Sequence, residues 1–446
     1  MASAGHSPAL PLPSSAHPAL GRRALTIARR AVGVLSLATV AACTLHLVAA
    51  AASHPILLVP ARRGGMPAWL RGPLDEIGYF LFPRDYGIAM AVMAGAWLLA
   101  LLTATDLPAR LLFGVIVAVH AILFLGPPLA SADVFGYLDW ARMGVLYDLN
   151  PYVTDSAAVV SDPVYRFVGW DNLTSPYGPL FTLLTYALVP LGLAGSLWAL
   201  KALVIASSLA CAALIWRTAL ALDIPAKPAV VLYGLNPAVL VYAVGGFHND
   251  AMMMLVLMGA IHLAVTGRER LGAVAGAGAV AIKSSAGLVL PFMLIGARDR
   301  PGWLKAGLGA GVAVLAVGLL AFGASALNFL NVLGTQQALN SGSSVPAQLG
   351  AWLGWEGSPT GVRIVFSALG VAAIGLCLWR AWRGADWITS AGWATLSLMV
   401  TSSWLLAWYV IWLVPLAALS RSRALRAGAM AMTVFVIAVR VVPFYD

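Results

Sequence analysis

Apolar runs near the length of a bilayer crossing follow one another along almost the whole chain, separated by short polar connections. Runs near 31–53, 85–103 and 109–127 come first. Runs near 197–222, 229–246, 251–266, 304–322, 360–379, 387–402, 404–420 and 426–442 come later. Between them lies the longest polar-rich interruption, residues 129–179, which opens LASADVFGYLDWARMGVLYDLNPYV and closes with SPYGPL. Such runs suit membrane-crossing helices, whereas a membrane β-barrel shows short alternating segments. The pattern predicts an all-α polytopic membrane protein with about 11–13 transmembrane helices and with helices in its extramembrane loops.

Two stretches depart from plain spans. Residues 180–193 are short and bounded by Pro179 and Pro190. They read as an interfacial or partly inserted helix, because a crossing there would invert every later loop. The run 271–297 carries Lys283-Ser284-Ser285 at its middle and Pro291 beyond it, with basic residues flanking both ends. That is the pattern of a broken or re-entrant helix pair, tolerated only where protein or water covers the freed backbone.

Composition narrows the class. The 446 residues are 61% hydrophobic and only 10% charged, where a soluble domain carries about a quarter charged residues. The net charge of +10 sits largely in short loops such as GRER, WRAWRG and RSRALR. There it sets orientation and gives no support to nucleic-acid binding. It predicts a disordered cytoplasmic N-terminus over 1–30 and a single integral domain over 31–446. Residues 128–178 and 323–359 then become extracytoplasmic loops. Cys43, Cys211 and Cys377 each lie inside an apolar run and read as small helix residues. No His/Cys/Glu cluster has zinc spacing, and there is no GxxxxGK[ST] loop or GxSxG elbow. No cofactor is predicted; dependence on a divalent metal stays open, although one loop aspartate does not make a site for such an ion.

The candidate chemistry gathers at polar groups in apolar surroundings. Asp133 stands where a membrane helix gives way to the long loop, and is either a catalytic base or part of a helix N-cap. In a helix starting there, Tyr137 and Trp140 share its face, an aromatic wall suited to a sugar ring; Asp139 lies on another face, with a structural or surface role. Tyr152 in Asn150-Pro151-Tyr152 and Tyr177 in the Pro/Gly-rich SPYGPL offer hydroxyls to an acceptor, or simply shape turns. His248-Asn249-Asp250 separates two apolar runs, either binding a phosphate or sugar or capping the next helix. Lys283, in mid-run, calls for an anion or a water path, or else snorkels. Arg440 in the last run has the same two readings, a lipid phosphate or snorkelling. The aromatic stretch 402–409 is explained by an interfacial belt.

The order DVFGY, NPY, PYGPL, HND, IKSSAG and WLLAWYVIWLVPLAAL, over residues 111–419, resembles the actinobacterial polyprenyl-phosphate-mannose-dependent mannosyltransferases. These include glycosyltransferase family 87 and the α-1,6-mannosyltransferases of lipomannan assembly. The resemblance implies the C-type glycosyltransferase fold. It implies that Asp133 is the catalytic aspartate and that the His248 region and Lys283 lie near the donor phosphate; Asn249, Asp250 and Arg440 are further candidate donor contacts. The residues themselves offer Tyr137, Trp140, Tyr152 and Tyr177 as candidate acceptor contacts. Relatives carry prolines after the lysine, where this chain has Ser284 and Ser285, and often Ser-Tyr in place of Gly136-Tyr137. The expectation is a multi-pass plasma-membrane enzyme that moves mannose from a polyprenyl phosphate to an extracytoplasmic glycolipid or glycan, with inversion. The rivals are a transporter or flippase of lipid-linked sugar, and a transferase using another lipid-linked sugar such as a pentose.

Overall fold

A computed structural model describes residues 17–53, 66–77, 81–329, 331, 334, 339–355 and 357–441, with side chains at 17–22 and 441 excepted. Among these residues there are helices and no strands, as the apolar patterning requires of an all-α polytopic membrane protein. Among the described residues, five helical stretches are by themselves long and apolar enough to cross a bilayer: 23–53, 83–106, 179–221, 300–328 and 360–382. The expected 11–13 helices are reached only by counting shorter pieces, among them Ala109–Leu125, Asp250–Val265 and 407–418.

The first helix runs His17–Ser53, so it begins well before the expected start at 31. The expected disorder in residues 1–16 lies outside the described residues. Arg29 donates to Asp106 at 2.7 Å, which ties the start of this helix to the turn between Pro83–Thr103 and Ala109–Leu125. Both cationic and turn residues thus lie at one end of the bundle.

The stretch after the long loop folds as Pro179–Tyr186, a 3-10 turn at Val189–Leu191, and then the long helix Gly192–Ala221. Taken alone, the eight residues of Pro179–Tyr186 rise about 12 Å, less than a bilayer crossing. The run 229–246 is not one helix. Ala226–Gly234 stops before Asn236-Pro237, and the chain resumes as a wide π turn over Val239–Val244. Asn236 makes this break: its side-chain oxygen accepts the amides of Ala238 and Val239 while its amide donates to Thr433. A proline at 237 cannot donate the bond that a continuous helix needs.

The run 271–297 also breaks. Glu269–Ile282 ends at Lys283, which is extended (φ −151°, ψ 126°), and a 3-10 turn over Ser284–Leu288 leads into Leu290–Gly296. The second polar loop, 323–359, has helical segments at Gly323–Asn328 and Val345–Trp352; residues 330, 332–333, 335–338 and 356 of it lie outside the described residues. The core forms where Gly192–Ala221, Asp250–Val265 and Val410–Ala418 pack with Ala226–Gly234 and the π turn. Around it the expected long loop forms a cap, led by the helix Asp133–Tyr147.

Candidate active site

Asp133 is the first residue of the Asp133–Tyr147 helix. Its amide donates to the Ser131 hydroxyl at 3.2 Å, so the local capping task falls to Ser131 and the Asp133 carboxylate stays free for other use. That carboxylate reaches a cavity also lined by Trp140, Trp170, Tyr177, Lys283, Ser284, Ser285, Trp404, Trp408, Tyr409 and Trp412. Gly136 and Trp140 follow Asp133 along the cavity side of the helix. Tyr137 turns away: it is buried, and its hydroxyl donates to Asn249 at 3.5 Å. Asp139 is fully buried, so the surface half of its expected role does not hold.

His248 stands behind Asp133. Its Nδ1 is 3.4 Å from the Asp133 carboxylate, its ring stacks on Trp408 with centroids 3.9 Å apart, and it is 0% exposed. Backbone strain aims it. Phe247 adopts the left-handed region at φ 52°, unusual for a bulky residue, and the His248 amide returns to the Ala243 carbonyl at 3.0 Å. Burial pushes the Asp133 carboxyl up. The bond and charge of His248, the charge of Lys283 and the Ser131 hydroxyl outweigh it, and the group settles below its ordinary value.

Lys283 occupies the helix break. Its Nζ donates to Asp250 at 2.8 Å, and the other Asp250 oxygen accepts from the Trp412 indole at 2.6 Å. Rings of Tyr177, Tyr409 and Trp412 surround the ammonium at 5.6–5.7 Å. The break is docked to the polar loop by a close backbone approach. The Gly178 amide donates to Ile282 at 3.2 Å, and a Cβ on Gly178 would lie 2.0 Å from the Ala281 carbonyl oxygen.

The structure therefore brings Asp133, Trp140, Tyr177 and Lys283 onto one cavity wall. It sets His248, Asn249 and Asp250 directly behind that wall, fully buried. Tyr152 is away from the cavity, its hydroxyl bonded to the Tyr177 carbonyl and Thr182. Arg440 is near the hydrogen-bonded pair Tyr86 and Tyr242, not on the cavity wall. Three cavity-lining residues keep a buried polar atom with no hydrogen-bond partner among the described residues: the indole N–H of Trp140, that of Trp408, and the Ser285 hydroxyl. Buried donors are seldom left unmatched, and these have the placement of ligand contacts.

Sequence reading missed Lys201. It is fully buried in the Gly192–Ala221 helix, donates to the Gly126 carbonyl at 2.7 Å, and lies over the Trp198 ring at 3.4 Å and near Phe247 at 5.1 Å. It joins the end of Ala109–Leu125, from which the Asp133 loop departs, to the turn that carries His248. The Leu129 amide, bonded to Gly245 at 2.8 Å, makes a second tie between the same two segments. A lone lysine in the apolar run 197–222 was the available signal. Trp170, Trp404 and Trp408 were also missed as site residues, since an interfacial belt and an aromatic cavity wall look alike in sequence.

Residues 30–298 match the family model of the alpha-(1→6)-mannopyranosyltransferase N-terminal domain. The chain belongs to this alpha-(1→6)-mannopyranosyltransferase family. It is 30% identical to alpha-(1→6)-mannopyranosyltransferase A of Mycobacterium tuberculosis over 354 residues, 69% of this chain and 66% of that protein. The protein of the same name from Corynebacterium glutamicum is 29% identical over 275 residues, 56% of each chain. The matches thus span less than two thirds of these relatives' length. No solved structure matches. The matched segment contains Asp133, His248 and Lys283, whereas the aromatic wall from Trp404 to Trp412 lies beyond it. Membership places the chain in a family named for mannosyl transfer.

Proposed function

We propose that the protein transfers mannose from a polyprenyl-phosphate-mannose donor to a glycolipid or glycan at the extracytoplasmic face of the plasma membrane, with inversion at the sugar carbon. The observation that carries this reading is the pairing of Asp133 with buried His248 on a cavity whose wall also holds Lys283. A carboxylate kept ionised by a fixed partner is ready to take a proton. The acceptor hydroxyl oxygen attacks the anomeric carbon while its proton passes to Asp133. The bond from that carbon to the phosphate oxygen breaks, and the electron pair leaves with the polyprenyl phosphate. An ammonium has three donors; one of those on Lys283 is bonded to Asp250. The others, with the unmatched Ser285 hydroxyl, suit the charge that builds on the departing phosphate. His248 and Asp250 act as positioning residues for Asp133 and Lys283.

The test uses detergent-solubilised protein with labelled polyprenyl-phosphate mannose and a mannose-chain acceptor. Product without any sealed compartment is expected, and Asp133→Asn should cost about 100-fold or more while the protein stays folded. Full activity in Asp133→Asn would remove the base assignment. Sugar movement only in sealed vesicles, with no new glycosidic bond, would favour a translocator; use of a pentose carrier in place of mannose would change the donor.

A further inference from the structure

We propose that Trp170 and Trp404 form the acceptor subsite, a platform for an uncharged pyranose ring whose hydroxyl is thereby presented to Asp133. This inference rests on the transferase reading above and names where its second substrate binds. Besides Trp140 and Trp408, the aromatic residues on the cavity wall fall into two groups. Tyr177, Tyr409 and Trp412 surround Lys283 and belong to the cation. Trp170 and Trp404 pair with each other instead, edge to face with centroids 6.0 Å apart, and among the described residues no cation lies over either ring. Anionic substrate groups are drawn to Lys283, which leaves the second group for a neutral partner with apolar C–H faces.

Trp170 is also held next to the base. Gly169 packs so closely on Ala132 that a Cβ added at 169 would lie 2.9 Å from the Ala132 Cβ, and Ala132 precedes Asp133. Trp170 is 40% exposed, so its ring is available from the open side of the cavity, while Trp140 and Trp408 are each 6% exposed. These two buried residues carry the unmatched indole N–H groups. They supply what a polyol needs beyond a flat face, directional donors to its hydroxyl oxygens. Half-exposed stacking surface, buried donors and the carboxylate of Asp133 therefore line one cavity.

The test compares Trp170→Ala, Trp170→Phe and Trp352→Ala. The last removes an 81% exposed indole that is not on the cavity wall. Acceptor KM for an α-(1→6)-linked mannobiose should rise about 10-fold in Trp170→Ala, a change of 1.4 kcal/mol. The kcat at saturating acceptor and the donor KM should stay within about twofold, and Trp170→Phe should restore most of the acceptor affinity, since it keeps an aromatic face. Trp352→Ala should behave as wild type. Saturation-transfer NMR with mannobiose alone gives a readout that needs no turnover, with signal expected in wild type and lost in Trp170→Ala. An unchanged acceptor KM, a parallel rise in donor KM, or equal mannobiose signal in both proteins would overturn the subsite. Failure of the wild type to use any mannosyl donor would instead overturn the function proposed above, and the binding measurement would still decide the subsite.

Discussion

The imidazole of His248 lies flat against Trp408 at 3.9 Å, which leaves its Nδ1 3.4 Å from the carboxylate of Asp133. A stacked, buried ring has few orientations open to it, so the carboxylate meets a fixed partner. Asp133 is held below the ordinary 3.8 by that partner against the upward push of burial. The acid limb of kcat/KM should therefore fall below 3.8, with activity present above the limb and lost as pH falls through it. His248→Phe keeps a ring on Trp408 but removes the nitrogen. Its acid limb should move up, and kcat should fall about 10–100-fold, since small misplacements of reacting groups are costly. An unmoved limb in a pH–rate series would exclude this role for His248.

Asp250 is fully buried and Lys283 half-buried on the cavity wall, so removing either partner strands the other charge, at greater cost for Asp250. Lys283→Met and Asp250→Asn should each lower thermal stability in detergent, and the double variant should lose less than the sum. Lys283→Met should also raise the donor KM at least about 10-fold, because a charge-assisted contact to phosphate is removed. Donor titration of the single and double variants separates the two effects.

Gly178 lets the SPYGPL loop touch the helix that ends at Lys283. Gly178→Ala cannot be accommodated without moving one of the two backbones. It should destabilise the protein by about 1–3 kcal/mol and weaken donor binding as Lys283 is displaced. Wild-type melting temperature and donor KM in this variant would show that the contact is dispensable.

Asp139 lies in the cap, outside the five long apolar stretches, and neither carboxyl oxygen has a hydrogen-bond partner among the described residues. Burial, reinforced by Asp162 and only partly offset by Ser156 and Arg142, pushes it up to about 7. The folded chain holds a proton that the unfolded chain has released, so stability falls as pH rises from 3.8 towards 7. The loss is on the order of 4 kcal/mol. Asp139→Asn should raise the melting temperature at pH 8.5, with the gain shrinking as the pH is lowered towards 4. A gain independent of pH would mean the carboxyl is not the cause.

Much of this was legible in sequence because polar groups in apolar runs are rare and each needs a reason. Asp133, His248 and Lys283 stood out in that way, and the helix break at Lys283 was visible from Lys283-Ser284-Ser285 and Pro291. What was not legible depended on which side of a wall a residue faces. His248 and Asp250 were expected at the donor but lie behind the wall, because a left-handed Phe247 and the bond to Trp412 turn them. The run 229–246 was read as one span, since hydropathy does not register the local bonds of Asn236 that divide it. Lys201 passed unnoticed because a single lysine in a long apolar run does not change how the run reads by hydropathy.

The cage around Lys201 also bears on how the molecule is assembled. A lysine within an apolar helix opposes the insertion of that helix when it is unaccompanied. Its own helix supplies the Trp198 ring, but the Gly126 carbonyl and the rings of Phe124 and Phe247 reach the ammonium only after those segments have gathered around it. Biogenesis of this helix is thus coupled to the meeting of two segments distant in sequence, and chains that fail to join them keep a marginally inserted helix open to quality control.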